Sequence, residues 1–408
     1  MKKLFALLLA SLMVLGLFAG CGAAEEAATE APAAAEGKDV KIGFIFLHDE
    51  NSTYDKNFID AVEAVKADLG LTDDQIIMKK NIPESNECYE AAADLADRGC
   101  NIVFADSFGH ESYMAQAAKE FPEVQFCHAT GTTAHTAGIA NLHNAFSSIY
   151  EGRYLSGIVA GMKLNEMIEA GEFTAEEAKI GYVGAFTYAE VVSGYTSFFL
   201  GARSVCPTVT MDVQFTGSWY DETAEKEAAN KLIEGGAKLI SQHADSMGAP
   251  TACETAGVPN CSYNGSTIDG CPNTYLVSCK INWAPYFKYI INCVKNGEAI
   301  AADWVGTTAD ESVQLLPLNE NVVAAGTADA VKAAADKLAS GELHVFDVNN
   351  FTVAGEKLES YMADVDTDAN YEKDTEVIID GYFHESEMRA APYFDLQIDG
   401  INLLNSAF

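Results

Sequence analysis

Positive charge is scarce in this 408-residue chain, which carries 25 Lys and Arg residues against 60 Asp and Glu residues. The formal net charge at pH 7 is therefore -35. A surface of this charge repels phosphate backbones and anionic headgroups, because like charges repel. We therefore expect no nucleic-acid partner, and we expect a neutral or cationic ligand in preference to an anionic one.

The sequence also lacks the motifs that identify several enzyme classes. It contains no Gly-x-Ser-x-Gly elbow, no His-Glu-x-x-His pair and no glycine-rich loop of the kind that surrounds phosphates. Gly181 and Gly184 follow an apolar run, but this pattern alone is too short to indicate a dinucleotide site. The sequence therefore favours a binding protein without a cofactor, and an enzyme is the alternative that no motif supports.

The chain begins with an export signal, residues 1–20. A basic Met-Lys-Lys start precedes an apolar run that is shorter than the roughly 20 residues of a membrane span. Phe18-Ala19-Gly20-Cys21 resembles a lipobox, which predicts lipidation of Cys21, and an ordinary signal peptide with an incidental cysteine is the alternative. Residues 21–38 have the composition of a flexible tether. We expect a lipid-anchored protein on the extracytoplasmic face of the cell membrane.

Cysteine is present but lacks metal-binding spacing. Nine cysteines follow Cys21, and five of them lie between Cys253 and Cys293. Because no Cys-x-x-Cys pair occurs and histidine is scarce nearby, we expect no metal site. An exported chain favours disulfides, and an odd number of thiols leaves at least one free. For residues 253–279, surface disulfides and small buried core residues remain the two interpretations.

From Asp39 onward, short apolar runs alternate with helical patterns of apolar residues. The predicted strands are 40–46, 76–78, 101–105, 124–128, 179–184, 208–215, 237–241, 258–263 and 274–279, with a further strand pair at 345–353. The predicted helices are 58–69, 87–98, 112–120, 147–170, 191–204, 221–235 and 250–256. This alternation predicts an α/β protein with mainly parallel sheets that are covered by helices on both faces.

The length of the chain predicts more than one core, because a single core stops growing at roughly 250 to 300 residues. We predict an N-terminal α/β lobe at residues 39–146 and a second α/β lobe at residues 147–280. Residues 281–408 are expected to supply hinge crossovers and C-terminal segments that complete both lobes. The glycines of the long helix 147–170 are expected to allow close packing against a neighbouring element.

Polar and aromatic residues concentrate in the loops that follow the predicted strands. They are Tyr54, Asp106, Ser107, Phe108, Tyr188, Glu190, Trp219, His243, Asp245 and Asn264. Ligands of open α/β sheets bind outside the carboxyl ends of the strands, so two facing lobes would place these loops in one cleft. For each residue alone, a role as a helix cap or turn residue is the alternative.

Two of these residues carry the most specific chemistry. Trp219, in Gly217-Ser218-Trp219-Tyr220-Asp221, follows a predicted strand and offers a stacking surface to a planar ligand, with hinge packing as the alternative. Tyr54 would stack on the opposite face of the same ligand, so that the two rings sandwich it. Asp245 is an acceptor suited to ring or amino N–H donors, with an N-cap role as the alternative. Asp221 is the predicted N-cap of the next helix.

Several segments resemble the basic membrane protein family of substrate-binding lipoproteins. They are the lipobox at Cys21, Tyr150-Glu151-Gly152-Arg153-Tyr154-Leu155-Ser156-Gly157-Ile158-Val159-Ala160-Gly161, Ile180-Gly181-Tyr182-Val183-Gly184, Glu190-Val191-Val192, Leu200-Gly201-Ala202-Arg203-Ser204-Val205, Gly217-Ser218-Trp219-Tyr220-Asp221 and Gln242-His243 with Asp245-Ser246. The resemblance implies a two-lobed type I periplasmic-binding-protein fold with the ligand in the interlobe cleft. It also implies delivery of purine nucleosides or bases to the permease and ATPase subunits of an ABC importer.

The resemblance also implies roles for individual residues. By position, Trp219 resembles the stacking aromatic residue, Asp245 the carboxylate that reads the base, and Glu190 a further cleft-facing residue. Tyr54-Asp55-Lys56-Asn57-Phe58-Ile59 stands where the nucleoside-binding branch has Asp-Asp-Lys-Ser-Phe-Asn, and the missing first Asp and final Asn favour a free nucleobase such as adenine over a nucleoside. The predicted ligand-binding residues are Tyr54, Asp55, Phe58, Ser107, Phe108, Glu190, Trp219, Asp245 and Asn264.

Other ligands and roles remain alternatives at this stage. The type I fold also binds sugars, amino acids and autoinducers, and for a sugar Trp219 would stack on the pyranose face while acidic residues bind hydroxyl groups. A surface signalling receptor with the same ligand is a further alternative. We expect a monomer that is attached to the membrane by its lipid and that holds neither cofactor nor metal.

Overall fold

The computed structural model describes residues 39–365, 370 and 372–408. The export signal, Cys21 and the predicted tether lie outside these residues. In chain order the strands are β1 (Ile42–Ile45), β2 (Ile76–Lys79), β3 (Ile102–Ala105), β4 (Gln125–Ala129), β5 (Leu142–Ser147), β6 (Lys179–Gly184), β7 (Thr210–Phe215), β8 (Leu239–His243), β9 (Asn260–Tyr263), β10 (Tyr275–Ile281), β11 (Asp303–Gly306), β12 (Val313–Leu315), β13 (Met362–Ala363), β14 (Thr375–Glu376), β15 (Ile378–Ile379), β16 (Tyr382–Phe383) and β17 (Ile401–Leu403).

The helices alternate with these strands, as the sequence predicts. In chain order they are α1 (Thr53–Leu69), α2 (Asn86–Asp97), α3 (Glu111–Glu120), α4 (Ile149–Glu169), α5 (Ala189–Val205), α6 (Glu222–Glu234), α7 (Gly248–Ala256), α8 (Ala284–Asn296) and α9 (Thr327–Ser340). Within the part of the chain that the structure describes, no helix combines the length and the apolar character needed to cross a bilayer.

The strands form two larger sheets, which define two lobes. The first lobe has the strand order β11-β5-β4-β3-β1-β2, and every neighbouring pair in it is parallel. The second lobe has the order β12-β10-β9-β8-β6-β7-β17, in which only the pair β10–β12 is antiparallel among the described strands. The α/β class with mainly parallel sheets is therefore confirmed.

The chain crosses between the two lobes at three places. It passes from β5 to α4, from β10 to α8, and from β11 to β12. The Ser148 amide N–H donates to the Gly306 carbonyl at 2.8 Å, and the Asn282 N–H donates to the Ser312 carbonyl at 2.8 Å. Backbone hydrogen bonds therefore join the crossings to one another.

Helix α1 shows how local sequence builds the first lobe. The Ser52 side chain caps its N-terminus by accepting a hydrogen bond from the Asp55 amide, and Gly70 ends it with a φ of 63°. Phe58, together with Ala61, Val62 and Val65, recurs at spacings of three and four and is buried against the sheet. The packing of this helix therefore fixes the position of the residues around its N-terminus, which lie at the carboxyl end of β1.

Helices α4 and α5 approach each other closely because both carry glycine at the contact. A Cβ atom added at Gly157 would lie 2.0 Å from the Phe198 carbonyl oxygen, and one added at Gly201 would lie 2.0 Å from that of Tyr154. The predicted close packing of the helix around residues 147–170 is thus confirmed for Gly157. The pair forms the centre of the second lobe's main core.

The predicted strand pair at 345–353 is wrong. The backbone turns at these residues, and its bridges in the described chain are isolated, between Asp347 and Tyr382 and between Val353 and Glu356. The apolar side chains that suggested a strand are buried without a ladder, and the Phe346 ring stacks on Phe394 with centroids 4.3 Å apart. Their apolar character reflects insertion into the core of the second lobe.

The expectation of surface disulfides is also wrong. All nine described cysteines are free, and each is buried. Burial raises the pKa of the Cys253 and Cys261 thiols, which disfavours the reactive thiolate. The cysteines between 253 and 279 are therefore small core residues, which was the other interpretation.

Candidate ligand-binding site

A cavity of about 380 Å³ lies between the carboxyl ends of the two sheets. This volume counts all space between the lining atoms, including space that is open to solvent. Its lining residues are Leu47, His48, Tyr54, Asp55, Ser107, Phe108, Thr130, Glu190, Trp219, His243, Asp245, Tyr263 and Asn264. The cavity lining therefore includes every predicted ligand-binding residue except Phe58, whereas the loop residues Asp106 and Tyr188 do not line it.

Phe58 lies below the cavity and does not line it. Its side chain is fully buried, and its ring stacks on Trp283 with centroids 4.5 Å apart. The Tyr54 ring meets Phe58 edge-on at 4.9 Å, one helical turn earlier on α1. The prediction of Phe58 as a ligand-binding residue is therefore corrected: Phe58 supports the ring of Tyr54 from the core.

Asp55 uses its carboxylate to shape the first loop of the cavity. One carboxylate oxygen accepts the His48 amide N–H at 2.7 Å, and the other accepts the Ser52 hydroxyl at 2.6 Å. Although burial opposes the effect, hydrogen bonds from His48 and Ser52 hold the pKa of Asp55 below its ordinary value. Both oxygens of this carboxylate thus accept hydrogen bonds from residues of the same loop.

Asp106 lies buried beside Asp55 and behind Tyr54. Its backbone carbonyl accepts the Tyr54 hydroxyl at 2.8 Å, and one carboxyl oxygen accepts the Leu47 amide at 3.1 Å. Burial, and then the negative charge of Asp55, raise the pKa of Asp106 well above its ordinary value. The Tyr54 hydroxyl therefore points into the first lobe, toward Asp106, and the Tyr54 ring lines the cavity.

Ser107 and Phe108 complete the first lobe's side. The Ser107 hydroxyl donates to Glu84 at 2.6 Å, and the Gly109 amide donates to the same carboxylate oxygen at 2.7 Å. The neighbouring Phe108 side chain is 41% exposed, and its ring stacks on Tyr188 of the opposite lobe with centroids 5.2 Å apart. Phe108 therefore reaches across the cleft mouth.

Four aromatic rings, Phe108, Phe186, Tyr188 and Trp219, form what we call the aromatic rim. Phe186 stacks on Tyr188 at 5.1 Å, and Trp219 meets Phe186 edge-on at 5.0 Å. Phe186 was not predicted as a site residue, although the sequence places it directly after β6. Of the four rings, Phe108 and Trp219 line the cavity, and Tyr188 and Phe186 pack against them.

Asp245 lies on the second lobe's side and contacts both lobes. One carboxyl oxygen accepts the Asn264 side-chain amide at 3.3 Å, and its backbone carbonyl accepts the Thr53 amide N–H at 3.1 Å. Burial, followed by the charges of Glu225, Asp55 and Glu190, raises the pKa of Asp245 well above its ordinary value. Helix α7 begins after Asp245, and no side chain caps it at its N-cap residue Met247, so the N-cap alternative is wrong.

Glu190 is held by His243, a cavity residue outside the predicted set of ligand-binding residues. His243 Nε2 lies 3.2 Å from a Glu190 carboxylate oxygen, and His243 Nδ1 lies 3.4 Å from the Tyr182 hydroxyl. Burial, and then the positive charge of Arg153, lower the pKa of His243. The neutral ring therefore donates from Nε2 to Glu190 and accepts at Nδ1.

Arg153 is buried directly behind the cavity wall. Its guanidinium carbon lies 3.5 Å from the ring centroid of Tyr263, which lines the cavity, and its Nη1 donates to the Gln242 carbonyl at 2.9 Å. Among the residues that the structure describes, neither lysine nor arginine lines the cavity itself. The walls thus combine aromatic rings with carboxyl oxygens, a combination that suits a flat ligand with N–H or O–H donors.

Comparison with known proteins agrees with this arrangement. Residues 46–325 match the family model of ABC transporter substrate-binding proteins that are PnrA-like. A purine-binding protein of Brucella abortus is 30% identical over 335 residues, which cover 78% of this chain and 88% of that protein. A protein of Haloferax volcanii, named as a candidate ABC transporter glucose-binding protein, is 32% identical over 247 residues, 60% of this chain and 59% of that protein.

The fold has solved relatives as well. An ABC transporter solute-binding protein from Conexibacter woesei superposes with a TM-score of 0.60 at 22% identity, covering 75% of this chain and 98% of that one. This likeness supports the two-lobed type I periplasmic-binding-protein fold. The family match spans more than half of the chain and includes both walls of the cavity. The chain therefore belongs to the basic membrane protein family of PnrA-like ABC transporter substrate-binding proteins.

Proposed function

We propose that this protein captures a purine nucleobase, with adenine favoured over its nucleoside, and delivers it to an ABC importer. The observation that carries the proposal is the cavity itself, whose lining combines the rings of Tyr54, Phe108 and Trp219 with carboxyl side chains that include Asp245 and Glu190. A purine offers a flat apolar face together with ring and exocyclic N–H donors. The relative from Brucella abortus is named as a purine-binding protein, which supports this ligand class.

The first loop supports a base without a ribose. Both carboxylate oxygens of Asp55 accept hydrogen bonds from the loop itself, at His48 and Ser52, so this carboxylate is engaged before any sugar hydroxyl arrives. Tyr54 presents a ring where the nucleoside-binding branch has an acidic residue. Burying polar groups of a ribose without partners would cost binding free energy, about 1 to 3 kcal/mol for each unsatisfied group.

Stacking and hydrogen bonding have separate tasks in this proposal. Trp219 and Tyr54 supply apolar burial to the faces of the base, and hinge closure brings the two lobes against it. Asp245 and Glu190 discriminate between bases by accepting, or when protonated donating, hydrogen bonds at the base edge. A site built from such groups rejects analogues that leave them unpaired.

A sugar is the second candidate ligand. The relative from Haloferax volcanii, named as a glucose-binding protein, supports it, and so do the acidic residues around an aromatic ring. In this case Trp219 would stack on the pyranose face while Asp245 and Glu190 accept hydroxyl groups. The two candidates differ in what they require from Asp245, because purine recognition depends on the pattern of donors and acceptors along one edge.

We further propose that the protein is a monomeric lipoprotein, anchored through Cys21 at the extracytoplasmic face of the membrane. The support is the lipobox sequence and the family's role as transport receptors. Metabolic labelling with a fatty acid tests this directly: wild type should take up the label, and Cys21→Ser should not. Label on the Cys21→Ser variant would contradict lipidation at this residue.

The ligand proposal is tested by a thermal-shift screen with nucleobases, nucleosides, sugars and amino acids. A ligand that binds only the native state must raise the unfolding midpoint. We expect a rise with adenine or another free base and little rise with its nucleoside. A rise with sugars alone would leave the fold unchanged and overturn the purine, and a rise with nucleosides would show that the first loop binds ribose.

A further inference from the structure

We propose that residues 404–407, the C-terminal clasp, position the aromatic rim and thereby set the affinity of the cleft. The inference rests on the proposed function only in its choice of probe ligand. The clasp lies outside residues 46–325, the part of the chain that matches the family model. It follows β17, which pairs in parallel with β7 at the edge of the second lobe's sheet.

The clasp continues beyond the sheet. The paired residues of β17 end at Leu403, opposite Val213, and the next amide, of Leu404, donates to the Val213 carbonyl at 2.8 Å. These contacts cover the edge of β7 from Met211 to Val213. Residues 405 and 407 extend further, toward the carboxyl end of the sheet, where the cavity lies.

Asn405 binds the end of β7 with both the oxygen and the nitrogen of its side-chain amide. Its oxygen accepts the Phe215 amide N–H at 2.7 Å, and its nitrogen donates to the Phe215 carbonyl at 2.9 Å. Phe215 is the last residue of β7, and the loop that follows it carries Trp219. The Asn405 side chain therefore acts as one more rung of the sheet at the base of this loop.

Ala407 binds the other rim loop. The Thr187 amide donates to the Ala407 carbonyl at 2.8 Å, and the Ala407 amide donates to the Thr187 hydroxyl oxygen at 3.0 Å. Thr187 stands between Phe186 and Tyr188, two of the four rim residues. Its amide has no other backbone partner among the described residues, so this reciprocal pair fixes the loop at Thr187, between its attachments at Ala185 and Tyr188.

The two contacts act on rings that touch each other. Trp219 meets Phe186 at 5.0 Å, so one ring of the rim stands on each of the loops that the clasp binds. A Cβ added at Gly217 would lie 3.8 Å from the Ala407 side chain, which places the clasp in contact with the Trp219 loop as well. Removing the clasp would take hydrogen bonds from both loops at once and leave them joined by the bond from the Gly217 amide to the Ala185 carbonyl, at 2.9 Å.

Thr187 offers a matched pair of variants. Thr187→Val keeps the shape of the side chain and loses the oxygen that accepts from Ala407, whereas Thr187→Ser keeps the oxygen. A single hydrogen bond of this kind changes an equilibrium by about threefold to tenfold. We expect Thr187→Val to weaken adenine binding by about that factor and Thr187→Ser to remain within about twofold of wild type. Phe408→Ala, at an 85% exposed residue, is the neutral control.

Deletion of residues 404–408 removes all clasp contacts, and we expect it to weaken adenine binding by about tenfold or more. Hydrogen exchange should show faster exchange of the amides at 185–190 in the deletion variant, with the β8 amides unchanged. In protein labelled with 5-fluorotryptophan, the ¹⁹F resonance of Trp219 should shift or broaden. The resonances of Trp283 and Trp304 in the first lobe report on the general fold and should stay in place.

The outcomes separate the possible failures. If the Thr187→Val and deletion variants keep wild-type affinity and rim exchange, the clasp does not position the rim. If all three tryptophan resonances change together with a lower unfolding midpoint, the segment is only a structural edge cover, which also overturns the inference. If wild type does not bind adenine, the proposed function fails, and exchange at 185–190 and the Trp219 resonance of the free protein still decide the clasp.

Discussion

The Thr53 amide donates a hydrogen bond to the backbone carbonyl of Asp245 across the cleft, at 3.1 Å. Thr53 is the first residue of α1 in one lobe, and Asp245 carries the buried carboxyl of the other. A second hydrogen bond, from the Asn57 side-chain amide nitrogen to the Asn264 side-chain oxygen at 3.1 Å, joins the same two segments. Because Asn264 also donates to Asp245, the contact between the lobes and the carboxyl that faces the cavity belong to one hydrogen-bonded group.

Replacing Trp219 should weaken binding of the base. Stacking of a base on an aromatic ring contributes about 1 to 3 kcal/mol, so Trp219→Ala should raise the adenine dissociation constant by about fivefold to a hundredfold. Trp219→Phe retains a ring and should lose less. Isothermal titration calorimetry measures both variants, and an unchanged affinity of Trp219→Ala would refute the stacking role.

Asp245→Asn should change which purine is preferred. The substitution keeps one oxygen that accepts from Asn264 but replaces a carboxyl oxygen by an amide nitrogen, which only donates. We expect the ranking of adenine, guanine and hypoxanthine to change by about tenfold for at least one pair. Competition titrations on wild type and variant give the ranking, with Glu222→Gln on the exposed first turn of α6 as control. Identical rankings would argue against base reading by Asp245.

Glu225 should make the protein less stable as the pH rises. Burial raises its pKa to about 7, whereas the unfolded chain releases this proton near 4.5. Between these values the folded state holds more protons than the unfolded state, so the free energy of unfolding falls as pH rises through this window, by about 3 kcal/mol in all. Glu225→Gln should remove that part of the slope.

Denaturant unfolding at pH 5 and pH 8 measures this effect. The Gln variant retains an oxygen that can accept the Asp221 amide, which the Glu225 side chain accepts at 3.1 Å. Glu222→Gln, an exposed neighbour on α6, serves as the control and should leave the slope unchanged. A Glu225→Gln protein with the full wild-type pH dependence would contradict the assignment.

Gly157→Ala should destabilise the second lobe severely. The added methyl group would stand 2.0 Å from the Phe198 carbonyl oxygen, so α4 and α5 must separate. Overpacking that moves backbone costs about 1 to 3 kcal/mol or more, which is expected to lower the unfolding midpoint by several degrees. Glu169→Ala, exposed at the end of the same helix, should behave like wild type in a thermal scan. Wild-type stability of Gly157→Ala would show that the helices can move apart at little cost.

The sequence predicts the parallel sheets well because buried strands of this kind are nearly continuous apolar runs. It misses β5, which contains His143 and Asn144. Both side chains are buried and hydrogen-bonded, His143 to the Ala301 carbonyl at 3.0 Å and Asn144 to the Ala134 amide at 2.7 Å. Polar residues with distant partners hide a central strand from any pattern that relies on hydrophobicity.

The candidate site, like the fold, could be predicted from the sequence only in part. Loops after strands are visible in the sequence, so Trp219, Asp245 and Asn264 could be assigned to one cleft without coordinates. The direction of a side chain within a helix is harder to predict: Phe58 faces the core, while Tyr54, four residues earlier, reaches the cavity. Contacts such as that of Thr187 with Ala407 join residues 220 positions apart, and no local pattern contains them.

The three crossings between the lobes also determine when, during translation, each part of the first lobe becomes available for folding. Strand β11 and helix α8, which complete the first lobe, come from residues 284–306, after the central strands of the second lobe. A nascent chain that has reached residue 280 lacks Trp283 and Phe287, whose rings cover Phe58 and Phe104. The face of the first lobe's sheet that Trp283 and Phe287 cover therefore stays open until about three quarters of the chain has been translated, whereas the core on the other face draws only on residues 45–142.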